Sequence, residues 1–171
     1  SLTSLNDGAL MRSRLGFRGT EDLGGGLAVK FNLEHGLYAD SGKQNDSTRF
    51  FDRQAWVGLV TPVGGFLMGR QYTPAFETFA TFDAMNTQSA LSAAQVASIP
   101  AGLDIRYNNT LQYRIVQGPW NAALMYGFGE GTSSANNRLL GINTLYKGGA
   151  FNVGFGLNSK KNSAGQQALK T

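Results

Sequence analysis

Apolar and polar residues alternate with a period of two along most of this 171-residue chain, and that period is what most limits its fold. Between residues 27 and 34 one side carries Leu27, Val29, Phe31 and Leu33, and the other carries Ala28, Lys30, Asn32 and Glu34. A helix turning about 100° per residue would mix these sets, whereas a strand keeps them on opposite faces. The same alternation places Trp120, Ala122, Leu124, Tyr126 and Phe128 on one face, and Phe151, Val153, Phe155 and Leu157 on another. Over 106–115 it sets Tyr107, Leu111, Tyr113 and Ile115 against Arg106, Asn108, Thr110, Gln112 and Arg114, with Asn109 interrupting the apolar face.

The pattern predicts eight strands, at 13–20, 27–36, 50–60, 65–72, 105–116, 119–128, 138–146 and 150–159. Their connectors alternate between short and long. The short ones (21–26, 61–64, 117–118, 147–149) hold the glycines that tight hairpins need for positive φ. The long ones fall at 37–49, 73–104, 129–137 and from 160 onward. Tight turns at one end and long loops at the other describe an up-and-down antiparallel meander. Composition agrees: with 23 Gly and only 15 % charged residues, neither a helical bundle nor a polar disordered chain fits.

Composition also removes function classes. Without cysteine there is no disulfide framework, thiolate metal site or cysteine nucleophile. His35 is the only histidine, which leaves no His-cluster metal site and little room for a Ser-His-Asp triad. It follows the outward parity near a strand end, which favours an interfacial role over a ligand role. The net charge of +4 is mild and the basic residues are scattered, so nucleic acid is not an expected partner. No stretch of 18 apolar residues would make a transmembrane helix, but that test is blind to membrane strands, whose mean hydropathy is moderate.

Alternation alone does not say which face is inside. Three features favour an apolar outside and a wet inside. Aromatics sit near strand ends (Trp120, Tyr126, Phe128, Tyr146, Phe151). The polar face is rich in Asn, Gly and Arg rather than Lys and Glu. The connector 73–104 is long and apolar, so it needs a wall to pack against, and 87–98 could hold a short helix there. Strand 50–60 has poor parity: reading Gln54 outward with Trp56 and Gly58 would put a polar residue at a protein–protein contact, a weak sign of subunit packing through the early strands.

Five segments, in order, carry a resemblance. They are Ser13-Arg-Leu-Gly-Phe-Arg-Gly-Thr-Glu-Asp-Leu-Gly-Gly-Gly-Leu27, Phe31-Asn-Leu-Glu34, Phe51-Asp-Arg-Gln-Ala-Trp-Val-Gly-Leu59, Gly69-Arg-Gln-Tyr-Thr-Pro74 and Arg106-Tyr-Asn-Asn-Thr-Leu-Gln-Tyr113. Together they resemble the general porins of Gram-negative outer membranes, in their Burkholderia–Neisseria–Comamonas branch. The resemblance implies an all-β transmembrane barrel, 16-stranded when complete and normally a homotrimer, with its third loop (here 73–104) folded into the pore. On that reading residues 1–171 are an internal part of a single barrel domain, covering about strands 2–9. The expected function is a passive outer-membrane diffusion channel for small hydrophilic solutes and inorganic anions, surrounded by membrane lipid, with no covalent chemistry, cofactor or metal.

Strand parity and the matched motifs nominate the pore wall. Arg14, Arg18, Lys30, Glu34 and Arg106 take inward positions, because an arginine facing lipid near the midplane would cost roughly 2–4 kcal/mol. The family's wall arginines fall on Arg14, Arg53 and Arg106, and its wall acid on Glu34. Glu77, Asp83 and Asp104 are the acidic candidates on the long loop. Arg18 and Arg114 fit a solvated or ion-paired role as well. Arg70 shares a face with Phe66 and Met68, which leaves a subunit contact and the pore both open. Basic groups outnumber acidic ones at the matched positions, so a weak-to-moderate anion preference is expected. Two other readings compete. A soluble eight-stranded barrel binding an apolar ligand would need Trp120, Leu124, Phe151 and Phe155 in its core. An enzyme on a small membrane barrel would need a nucleophile–base pair that the residues do not supply.

Overall fold

The structure is a computed structural model that describes residues 3–8, 11–85, 87, 91–99, 102–129, 137–161 and 167–170. Its strands are β1 (Ser13–Gly24), β2 (Leu27–Leu37), β3 (Gln54–Thr61), β4 (Gly64–Tyr72), β5 (Arg106–Gln117), β6 (Trp120–Gly127), β7 (Leu139–Gly148), β8 (Phe151–Lys161) and β9 (Gln167–Lys170). Each pairs antiparallel with its sequence neighbour, in one sheet ordered β1 to β9. The eight predicted strands are all present. The short ninth falls in the polar tail, where Lys170 and Leu169 pair with Ser159 and Lys160 without any alternating pattern to announce it. β1 extends to Gly24, so the first hairpin turns on Gly25 and Gly26, both with positive φ.

The registers align the apolar rows into one continuous outer face. Phe17 pairs with Leu33, Phe31 with Val57, Leu59 with Phe66, Tyr113 with Leu124, Leu124 with Ile142 and Ile142 with Leu157. These residues are uncovered: Phe151 is 75 % exposed, Phe155 57 % and Leu124 50 %. The polar row is the buried one, with Gln112, Thr110 and Asn143 almost fully enclosed. A soluble barrel with an apolar core is therefore excluded. Aromatic pairs mark both ends of the outer face, Trp120 against Tyr146 beside the tight turns and Tyr126 against Phe128 beside the long loops. Such pairs fit the two rims of an apolar belt. Strands of 8 to 12 residues are long enough to cross a bilayer when tilted.

Two local readings of parity are corrected. On β3, Trp56 pairs with Asn32 and Val57 with Phe31, so Gln54, Trp56 and Gly58 face inward while Ala55, Val57 and Leu59 face outward. The early strands thus show no polar outward residue at Gln54, and that sign of subunit packing is withdrawn. On β5, Asn109 has φ 49° and forms a bulge, slipping the register so that Gln71 pairs with Tyr107. Tyr107 thereby turns inward, over Gly127, where an added Cβ would meet its ring at 2.6 Å.

The long connector forms a helix earlier than its alanines suggest. α1 spans Pro74–Phe82, with Thr73 as N-cap accepting from the Phe76 N–H, Pro74 at the first position and Glu77 in the first turn. The 87–98 region also holds a short helix, of π type, at Ala94–Ser98, and residues 86 and 88–90 lie outside the described ones. α1 lies against the inward face of β7 and β8. Asn143 Nδ2 donates to the Pro74 carbonyl (3.1 Å), the Ala75 N–H to Asn158 Oδ1 (3.4 Å) and Thr78 Oγ1 to the Phe155 carbonyl (3.3 Å). Ala75, Phe76 and Leu103 form a small buried cluster there, flanked by Tyr72, Phe79 and Ile105.

Glycines make this docking possible. A Cβ on Gly141 would meet Pro74 Cδ at 2.7 Å, and one on Gly156 would meet Thr78 Oγ1 at 2.6 Å and Ala75 Cα at 3.0 Å. Gly156→Val in the complete protein should cost about 1–3 kcal/mol through this overpacking. Thr73→Val should cost about 1 kcal/mol through the lost cap. Both should also speed proteolysis within 83–104. Thermal unfolding and limited digestion in detergent check this, and unchanged behaviour in both variants would refute the docking.

Candidate pore-lining site

Glu34 is the hub of the inner wall. It sits on β2 opposite Gly16 on β1 and Gln54 on β3, and is 6 % exposed. A carboxylate so enclosed needs ionic and hydrogen-bond partners to offset its lost hydration. Two guanidinium groups pair it: Arg53 Nε donates to Glu34 Oε1, and Arg14 Nη1 lies 4.0 Å from Oε2. Gly16 keeps the strands close here, since a Cβ on it would meet the Leu33 carbonyl at 2.9 Å.

Arg53 reaches this point because the loop before β3 is anchored. Asp52 accepts from the Gly36 N–H (2.6 Å) and from Asn45 Nδ2 (2.8 Å), and the Arg53 N–H donates to the Glu34 carbonyl (3.2 Å). His35 is stacked on Phe50 with ring centroids 4.6 Å apart and lies 3.6 Å from Asp52. Buried under this loop, it does not occupy the interfacial position expected from parity.

Tyr72 links the cluster to β5 and to the helix. Its hydroxyl accepts from Arg53 Nη2 (3.4 Å) and Arg106 Nη2 (3.0 Å), and the Arg106 guanidinium sits 4.7 Å from its ring centroid, a cation–π distance. The ring itself stacks on Phe76 of α1, with centroids 5.2 Å apart. Tyr72 thus connects Arg106 to Arg53, which shares Glu34 with Arg14.

The acids of the long loop engage other cations. Glu77 is bound by Arg114 Nη2, with 2.6 Å to Oε1. Asp104 is 3.2 Å from Lys160 Nζ. Asp83 caps the C-terminus of α1. Partial desolvation pushes its carboxyl up, but the Met85 N–H, the Ser92 hydroxyl and the Thr87 and Ala94 N–H groups outweigh it and hold the carboxyl below the ordinary carboxylate range. Arg70, paired with Ala55 of β3, donates to the Asp52 carbonyl (2.7 Å) and Asn108 Oδ1 (2.6 Å), and lines a cleft of about 310 Å³ with Asp104, Arg106 and Lys160. Arg18 and Lys30 lie nearer the tight turns, exposed, opposite Asn32 and Gly58, and pair with no acid among the described residues. Sequence reasoning missed Tyr72 as the bridge and Lys160 as the partner of Asp104. Tyr72 stood in a quoted motif, but nothing in a strand pattern predicts a contact across the sheet.

The model of the Gram-negative porin family matches residues 2–171. Outer membrane porin protein 32 of Delftia acidovorans is 32 % identical over 163 residues, covering 90 % of this chain and 46 % of that protein. An outer membrane porin protein of Bordetella pertussis is 34 % identical over 128 residues, covering 74 % of this chain and 32 % of that protein. The chain therefore spans less than half the length of these curated relatives. Among solved structures, the anion-selective porin from Comamonas acidovorans superposes with a TM-score of 0.73 at 30 % identity, covering 93 % of this chain and 51 % of that one. The OmpF porin of Salmonella typhi superposes at 0.64 with 20 % identity, covering 87 % of this chain and 46 % of that one, a likeness of fold alone. The apolar outer face, the polar inward face and the match over nearly the whole sequence agree: the chain belongs to the Gram-negative porin family of the outer membrane.

Proposed function

We propose that the complete protein is a passive diffusion channel for ions and small hydrophilic solutes, with a preference for anions. The observation that carries this reading is a surplus of cations on the inner wall. Glu34 is neutralised there by two arginines, Glu77 by Arg114 and Asp104 by Lys160, while Arg18 and Lys30 have no acidic partner among the described residues. Uncompensated positive charge in a constricted aqueous path lowers the energy of a passing anion and raises that of a cation. The packing of α1 on the inward face of β7 and β8 supports a third loop that narrows the pore. Arg14, Arg53 and Arg106 with Glu34 would form one wall of the narrow part, and Glu77, Asp83 and Asp104 would lie across from it. The sheet leaves β1 and β9 unpaired with each other, so closure requires strands beyond those described, as in a 16-stranded barrel. A homotrimer is part of the same reading.

In planar bilayers with a potassium chloride gradient, the complete protein should give a reversal potential of the sign set by chloride. Cation selectivity would overturn the proposal. Glu34→Gln should raise the anion-to-cation permeability ratio, by up to roughly fivefold at low ionic strength and less as salt screens the wall. A ratio that stays fixed would remove Glu34 and its arginines from the narrow part. Chemical cross-linking in the outer membrane should stop at three copies; a ladder ending at one or two would exclude the trimer.

A further inference from the structure

On the tight-turn side of the arginine cluster the inner wall becomes apolar. A hollow of about 610 Å³ lies there, within the size range of small-molecule sites. Gly58 and Gly65 form its floor: a Cβ on Gly58 would meet Leu67 Cγ at 3.0 Å, and one on Gly65 would meet Leu67 Cδ1 at 3.6 Å and Val60 Cγ2 at 3.7 Å. Trp56, Val60, Leu67 and Val116 supply apolar surface, and Lys30 and Arg114 stand at the rim. Trp56 Nε1 donates to Gln54 Oε1 (3.0 Å), which fixes the indole by its one polar atom. Lys30 pairs with no acid among the described residues, and Arg114, held by Glu77 through Nη2, keeps a buried Nε without a hydrogen-bond partner.

Inorganic ions gain nothing from an indole and three aliphatic side chains. A solute with both a negative charge and a flat apolar body gains from each part of the hollow. We propose that this hollow is a binding station for small aromatic carboxylates in transit, the carboxylate directed to Lys30 and Arg114 and the ring laid against Trp56 and Leu67. The proposal rests on the channel reading above and adds a solute class to it.

The test uses the complete protein in planar bilayers in sodium chloride, with sodium 2-naphthoate, sodium acetate or 2-naphthylmethanol added at equal concentration. Naphthoate should produce concentration-dependent current blocks, and the other two should not. Trp56→Ala should weaken the block about tenfold, while Trp56→Phe should retain most of it. Lys30→Gln should weaken it roughly fivefold. Both Trp56 variants should still conduct chloride, with a reversal potential of the same sign. A protein that conducts chloride but is blocked no better by naphthoate than by acetate, or equally in Trp56→Ala, overturns this inference and leaves the channel reading standing. That is also the result expected if another part of the barrel covers the hollow. A protein that forms no channel overturns both.

Discussion

Hydrocarbon offers no partner to a peptide N–H or C=O, and that constraint organises this chain. Every spanning segment must find its hydrogen bonds in a neighbouring strand. The cheapest topology is a meander in which each strand pairs with the next, as all nine do here. Once the sheet separates lipid from water, the period of two acquires a meaning opposite to its meaning in a soluble core. Phe17, Phe31, Leu124 and Phe155 look away from the centre, and Gln112, Asn143 and Asn158 are the residues that become enclosed. For Asn143 and Asn158 that enclosure is offset by hydrogen bonds to the helix that lies over them.

That helix shows how a polar wall acquires shape. Glycines on β7 and β8 remove side chains where α1 must approach, and Asn143 and Asn158 supply the hydrogen bonds that seat its first turn. Elsewhere on the inward face, a glycine opposite Glu34 lets two strands close around a carboxylate that guanidinium groups pair. Tyr72 joins the two, stacked on Phe76 of the helix and accepting from two arginines of the wall. Small residues, buried amides and charges thus act as one device. The glycines set the distance, the amides fix the helix, and the charges fall where the remaining space lies.

Much of the fold was legible because lipid-facing strands must alternate strictly. The eight long strands followed from the period, and their loops sorted by end. Legibility failed where a single residue altered the parity. Asn109 looked like a flaw in an apolar row, and it is a bulge that rotates Tyr107 to the inner side. Trp56 looked outward with Gln54 and Gly58 on a strand of poor parity, yet its register places it on the inward face. The helix start at Thr73-Pro74 carried a cap and a first-turn proline, a signal that the alanines further along the loop obscured.

The number of long strands, their order and the outward row can all be read from the chain residue by residue, because alternation, turn glycines and spacing are local properties. Inward positions for Arg14, Arg18, Lys30, Glu34 and Arg106 came from the same parity, and Arg53 from motif likeness. Which charge meets which was settled by packing in three dimensions. Glu77 selects Arg114, Asp104 selects Lys160, and Arg53 shares Glu34 with Arg14. These pairs join segments far apart in the chain, and their partners depend on sheet register, on the bulge at Asn109 and on the angle at which a helix settles over glycines. No local pattern encodes such distances, because they are fixed by the packing of all the strands at once.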